Sequence, residues 1–85
     1  MGDMTHPSDV ILLAASIQSG GPRGERAYQT ALARALELGQ ESLLEALEVR
    51  VRDRGEGYQI VATKLGVSQK SIQRWCRVAG IERPA

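Results

Sequence analysis

Tyr58-Gln59-Ile60-Val61-Ala62-Thr63-Lys64-Leu65-Gly66-Val67-Ser68-Gln69-Lys70-Ser71-Ile72-Gln73-Arg74-Trp75-Cys76-Arg77 is the stretch whose reading decides the fold. Two short helices meeting at a tight turn place definite demands on such a window. Its fifth place needs a small residue, because the helices approach closely there, and holds Ala62. Its ninth must leave the right-handed helix, and holds Gly66, the residue that adopts left-handed geometry without steric cost. Apolar side chains are wanted at the fourth, eighth, tenth, fifteenth and eighteenth places, which are Val61, Leu65, Val67, Ile72 and Trp75. No proline intrudes. The window predicts two helices packed across a turn.

The second of these helices has both ends specified. Ser68 is a cap, with Val67 and Ile72 at the two positions of a hydrophobic staple. Gly80 suits the left-handed residue after the helix, with Ile81 folding back on Cys76 or Trp75. Between the caps, Ile72, Trp75, Cys76 and Ala79 form an inner face at helical spacing. The outer face is Gln69, Lys70, Gln73, Arg74 and Arg77, with nothing acidic or apolar on it. Lys70 and Arg74 are a like-charge pair one turn apart, which costs an isolated helix about 0.2–0.5 kcal/mol. An anionic partner converts that cost into affinity, because each neutralised phosphate releases counterions. Gln and Arg also make bidentate contacts to adenine and guanine edges in the major groove. The face reads as a DNA recognition surface.

Charge is distributed to match. The chain of 85 residues has a net charge of +1, but residues 1–57 hold six bases against nine acids. Residues 58–85 hold five bases (Lys64, Lys70, Arg74, Arg77, Arg83) against one acid, Glu82. One end is built to approach negative charge and the other is not.

Upstream, the pattern is helical throughout. A first helix is expected from about Asp9 to Gln18, with Val10, Leu13, Ala14 and Ile17 on its buried face and Thr5 or Ser8 as its cap. Ser19-Gly20-Gly21-Pro22 stops it. A second, roughly Glu25–Leu38, turns Tyr28, Leu32, Ala35 and Leu36 to one side and ends at Gly39. A third opens on Ser42-Leu43-Leu44-Glu45, a capping box in which Glu45 reaches back to the cap. Leu44, Leu47 and Val51 continue its stripe to Gly55, past Arg50, Arg52 and Arg54, read as a solvated helix end. No stretch alternates as a strand does. The expectation is an all-α fold of about five short helices, with residues 1–39 a helical pair and residues 40–85 the unit that holds the quoted window.

Residues 58–77 resemble the helix-turn-helix of bacterial and phage DNA-binding proteins. The wider segment Ser42–Ile81 is similar to Fis-type domains, on the strength of Leu43-Leu44-Glu45-Ala46-Leu47, Ala62, Leu65-Gly66-Val67-Ser68, Ile72, Arg74 and Gly80-Ile81. The ending Arg74-Trp75 looks more like transposase or phage-terminase helix-turn-helix segments. The resemblance covers about half the chain. It implies that Ser68, Gln69, Lys70, Gln73, Arg74 and Arg77 face double-stranded DNA. It also implies that Tyr58 and Gln59 meet backbone phosphates with their N–H groups.

Other classes find little support. Apolar residues at 42%, charged at 25% and aromatic at 4% describe a globular chain. A domain this small buries only roughly 60–65% of its unfolded surface, so its core must be economical. A single cysteine, Cys76, forms no internal disulfide and fits a reducing cytosol. The apolar run Val10–Ile17 is too short for a membrane span, and the leader Met1–Asp9 lacks the cations of a secretory signal. His6 has no partner residues for a metal site, and the trio Ser8, His6 and Asp9 lacks a scaffold for catalysis. Trp75 reads as a core anchor and Cys76 as an inert buried thiol. No catalytic or metal residue, cofactor, small-molecule ligand or membrane is expected.

The expectation is a cytoplasmic, nucleoid-associated homodimer that reads DNA, a small transcriptional regulator or architectural protein, with its first two helices at the interface. An accessory subunit for recombination, transposition or phage packaging is the first alternative. An adaptor or antitoxin-like protein that sets its basic helix on an acidic partner is the second.

Overall fold

Every regular element is helical. The structure, a computed structural model, describes residues 6–84, and no strand occurs among them. A 3-10 turn, Pro7–Asp9, leads into α1, Val10–Glu37. Helix α2, Leu43–Leu47, widens into a π-helical segment, Glu48–Asp53. Then come α3, Tyr58–Leu65, and α4, Gln69–Ala79. The all-α class read from the sequence is the observed one.

The described residues form four α-helical elements where the sequence predicts about five helices. The first two run on as one element, α1, through a corner at Gly21, whose φ of 56° and ψ of −133° are not helical. Only glycine tolerates that conformation readily, and Pro22 restarts the helix with its φ already set. In an unbroken helix Ser16 and Gly24 would stand about 12 Å apart. At this corner a Cβ on Gly24 would collide with the Ser16 carbonyl. Gly24 thus lets the two arms, residues 10–20 and 22–37, approach closely.

One buried cluster draws on every helix. Leu12, Tyr28 and Leu32 come from α1, Leu47 from α2, Val61 and Leu65 from α3, and Ile72 and Trp75 from α4. Helix α1 therefore packs over both helices of the quoted window rather than standing apart from them.

The first arm turns a different face inward from the one its apolar spacing suggests. Val10 is 60% and Ile17 44% exposed, Ala14 is exposed, and Leu13 is half-buried. Leu12 and Ser16 take the inner positions instead, with Asp9 buried just before them. The cause is polar and tertiary. The Asp9 carboxylate accepts from the Tyr28 hydroxyl at 2.8 Å, the Leu43 N–H at 2.9 Å and the Leu44 N–H at 2.8 Å. It thereby caps α2 from 34 residues away, where a negative charge is also favoured by the helix dipole. Ser16 donates to the Leu12 carbonyl at 2.8 Å and accepts from the Trp75 indole N–H at 2.6 Å. A fully bonded polar pair can lie in a core, and this one rotates the arm.

Smaller differences have equally local causes. Ser8 does not cap α1. The His6 ring caps the preceding turn, accepting the Ser8 N–H at 3.1 Å, and Thr5 lies outside the described residues. Leu36 is 41% exposed, and Ala31 joins Tyr28, Leu32 and Ala35 on the inner side in its place. Ser42 caps α2 as expected, accepting the Glu45 N–H at 3.1 Å, but Glu45 reaches one residue further back, to the Glu41 N–H at 2.6 Å. Arg50 is no solvated helix end: its side chain is buried and donates to Glu56 at 3.5 Å. The widened π-helical turn that carries it explains why α-helical spacing misplaced it.

Candidate nucleic-acid interface

Helix α4 is fixed at both ends and along one side. Ser68, in extended conformation, accepts the Ser71 N–H on its hydroxyl at 3.2 Å and bonds the Ser71 hydroxyl at 3.0 Å. At the far end Gly80 adopts φ 72°, so that its N–H reaches the Arg77 carbonyl at 3.3 Å. The Ile81 N–H reaches the Cys76 carbonyl at 2.8 Å. These two bonds make the left-handed cap that the Gly80-Ile81 pair predicts, and Ile81 is buried behind it. Helix α3 ends the same way at Gly66, φ 71°, with the Val67 N–H on the Ala62 carbonyl at 3.1 Å. Ala62 is buried beside that turn.

The inner side of α4 is Ile72, Trp75 and Cys76, all buried. Trp75, 1% exposed and bonded to Ser16, is a core anchor and not a stacking platform. Burial pushes the Cys76 thiol up to about 11, which leaves it protonated and unreactive near neutrality.

The outer side carries Gln69, Lys70, Gln73, Arg74 and Arg77, each of them exposed. Among the described residues none of the five side chains joins an ion pair or hydrogen bond. They span about 12 Å along the axis at a rise of 1.5 Å per residue. The repulsion between Lys70 and Arg74 is therefore relieved by no acid among the described residues. Ser68 stands at the head of this face with its hydroxyl already committed to the cap.

Tyr58 and Gln59 lie on a separate element, the first turn of α3. Gly57 precedes them, so no side chain caps that turn's N–H groups. Gln59 is exposed, while Tyr58 is half-buried, with the Arg83 guanidinium 5.8 Å from its ring centroid. Lys64, counted above with the basic end, is drawn the other way. Its ammonium sits 3.3 Å from Glu56, which also collects Arg50 at 3.5 Å and Arg54 at 3.8 Å. Arg52 is held by Asp53 and Glu48. The cations around α2 and α3 are paired, and those of α4 are not.

Two residues near this surface escape a reading of the sequence. A Cβ placed on Gly66 would stand 3.5 Å from the Thr30 methyl and 3.9 Å from Arg34 Nε. The second arm of α1 therefore passes beside the α3–α4 turn. Only the packing reveals it, since Arg34 lies in the acidic part of the chain.

At the other end, His6 and Ser8 are 2.7 Å apart, but the Asp9 carboxylate faces Tyr28 and α2. Its oxygens are bonded there rather than to the imidazole, so the three do not form a catalytic relay. No group of three or more metal-ligating side chains occurs among the described residues, and no helix there is long and apolar enough to cross a membrane. No protein-family model, curated protein or solved structure matches this chain.

Proposed function

We propose that this chain binds double-stranded DNA by laying the outer face of α4 in the major groove. In this reading α2 with its π-helical continuation, α3 and α4 form a helix-turn-helix unit over residues 40–85. The two arms of α1, within residues 1–39, brace that unit. The observation that carries the reading is the face itself: five exposed polar or cationic side chains, free of acids and of internal partners, on a helix anchored everywhere else. A surface of that kind makes no ion pair or side-chain hydrogen bond among the described residues and fits an anionic groove about 12 Å wide. Gln69, Lys70 and Gln73, with Arg74 at the margin, reach base edges, because a recognition helix enters N-terminus first. Arg77 lies nearer the phosphates. Ser68, Tyr58 and Gln59 orient the unit from backbone contacts.

The chain acts as a cytoplasmic, nucleoid-associated homodimer that binds DNA without catalysing a reaction, a regulator or architectural protein. Support for pairing comes from the first arm of α1, which leaves Val10, Ile11 and Ile17 at 60%, 53% and 44% exposure. Burying them against a second copy removes apolar area from water and supplies a second half-site. The same residues also favour a second reading, in which they and the basic helix serve as an adaptor for an acidic protein.

A salt titration on duplex DNA separates the two. Each phosphate that a cation such as Arg77 neutralises steepens log K against log salt by about 0.9 per protomer. Absence of duplex binding at low salt rules the DNA reading out. Selection from random duplexes should return a palindrome if two copies bind together.

A further inference from the structure

We propose that Arg34 of α1 is a further DNA-phosphate contact, set at the entrance of α4 by the way α1 packs across the α3–α4 turn. The inference rests on the DNA-binding reading above and extends its surface to an element outside the helix-turn-helix unit.

Position is the first ground. Arg34 Nε lies 3.9 Å from the point a Cβ on Gly66 would occupy, and Gly66 is two residues before the Ser68 cap. The guanidinium therefore stands beside the turn that feeds α4, at the end carrying Gln69 and Lys70. That is the end a groove-entering helix brings closest to the nucleic acid. The flanking phosphates of the groove pass on either side of it.

Charge is the second ground. Arg34 is exposed, and its guanidinium has no ion-pair or hydrogen-bond partner among the described residues. Glu37, one turn further along α1, does not pair with it. This contrasts with the α2–α3 side of the molecule, where Glu56 collects Arg50, Arg54 and Lys64 while Glu48 and Asp53 hold Arg52. The unpaired Arg34 adds a cation at the turn to the unpaired Lys70, Arg74 and Arg77 of α4. A guanidinium suits this task, since its planar fork matches phosphate oxygens.

A cation in the last turn of α1 also has a purely structural use, because it complements the helix dipole. The experiment must therefore read DNA binding and folding apart. Full-length protein, Arg34→Ala, Arg34→Lys, Arg77→Ala and Arg52→Ala are titrated on a random-sequence duplex across a salt series, and each is melted without DNA. Losing one phosphate contact should weaken Arg34→Ala about eightfold at 0.1 M salt and lower the salt slope by about 0.9. Its melting curve should stay close to that of the parent. Arg34→Lys should keep the slope, and Arg52→Ala, whose partners lie elsewhere, should bind as the parent does. If the parent and Arg52→Ala bind and Arg77→Ala is weakened, an unchanged Arg34→Ala overturns this contact and leaves the DNA reading standing. If the parent binds no duplex, both fall together. An Arg34→Ala that melts early but keeps the parental salt slope assigns the residue to the helix end and also overturns the proposal.

Discussion

Replacing Asp9 by alanine should cost this protein a large part of its stability. The carboxylate accepts three hydrogen bonds, and two of them come from backbone N–H groups of α2. Leu43 is fully buried, so water cannot readily replace the lost acceptor there. Each stranded donor costs about 1–3 kcal/mol, and removing a negative charge from a partly buried helix N-terminus costs up to about 2 kcal/mol more. Two stranded N–H groups and the lost charge together give roughly 2–8 kcal/mol, and the half-buried Leu44 donor, which water can reach, places the loss at about 4 kcal/mol. A chain of 85 residues has a total stability of about 4–13 kcal/mol, so the variant should be partly or wholly unfolded at room temperature. Asp9→Asn keeps the shape and one acceptor oxygen but turns an amide N–H₂ toward a backbone N–H, and should lie between. Tyr28→Phe leaves both N–H bonds intact and should cost only about 1–2 kcal/mol. Urea titration followed by circular dichroism measures the order. With an m-value of about 1 kcal/mol/M, Asp9→Ala should lower the midpoint by roughly 4 M, or unfold outright. A midpoint within about 0.5 M of the parent, or a larger loss from Tyr28→Phe than from Asp9→Ala, would refute the assignment of Asp9 as a cap of α2 beside Ser42.

Other substitutions test other parts. Gly24→Ala should destabilise by more than about 1–3 kcal/mol, the ordinary cost of overpacking, because the obstacle is the Ser16 backbone carbonyl rather than a pliant side chain. A parental melting temperature would show that the arms of α1 are not so close. Gln69→Ala should cost about 1–3 kcal/mol on a preferred duplex and little on random DNA, while Arg77→Ala should weaken both alike and reduce the salt slope by about one. Equal losses from Gln69→Ala on both duplexes would mean that α4 is docked otherwise. The Cys76 thiol, raised from 9.0 to about 11 by burial, makes the folded state hold a proton that the unfolded chain gives up. Stability should therefore fall as pH rises from about 9 to 11, and Cys76→Ala should flatten that part of the curve.

The helical class was legible because local rules agree with one another along the chain. Gly66 and Gly80 stand where a helix must end left-handed, Ser42 and Ser68 where it must begin, and the structure uses all four in those roles. The exposed side of α4 was legible for the same reason, since Ile72, Trp75 and Cys76 repeat at helical spacing and the polar side chains fill the rest. What escaped was set by distant partners. Nothing near Asp9 or Ser16 announces that Tyr28, α2 or Trp75 will bond them, so apolar spacing chose Val10 and Ile17 for the core in their place. Arg50 looked like a surface cation because its burial depends on a widened turn and on Glu56 beyond it. Arg34 reaches the α3–α4 turn only through the packing of α1. Local chemistry wrote the helices, and polar contacts across the chain set how they lean.

The bond between Ser16 and Trp75 joins points 59 residues apart. Helical turns close within a few residues and form quickly, whereas bringing such remote points together must first overcome the entropy of a long loop. The chain has one tryptophan, and it is the residue that completes this closure. With excitation at wavelengths that Tyr28 and Tyr58 do not absorb, its emission follows the docking of α1 onto α4 with no second tryptophan to compete. Set beside the far-ultraviolet signal of the backbone during refolding, it separates the time at which helices appear from the time at which the two ends of the chain meet.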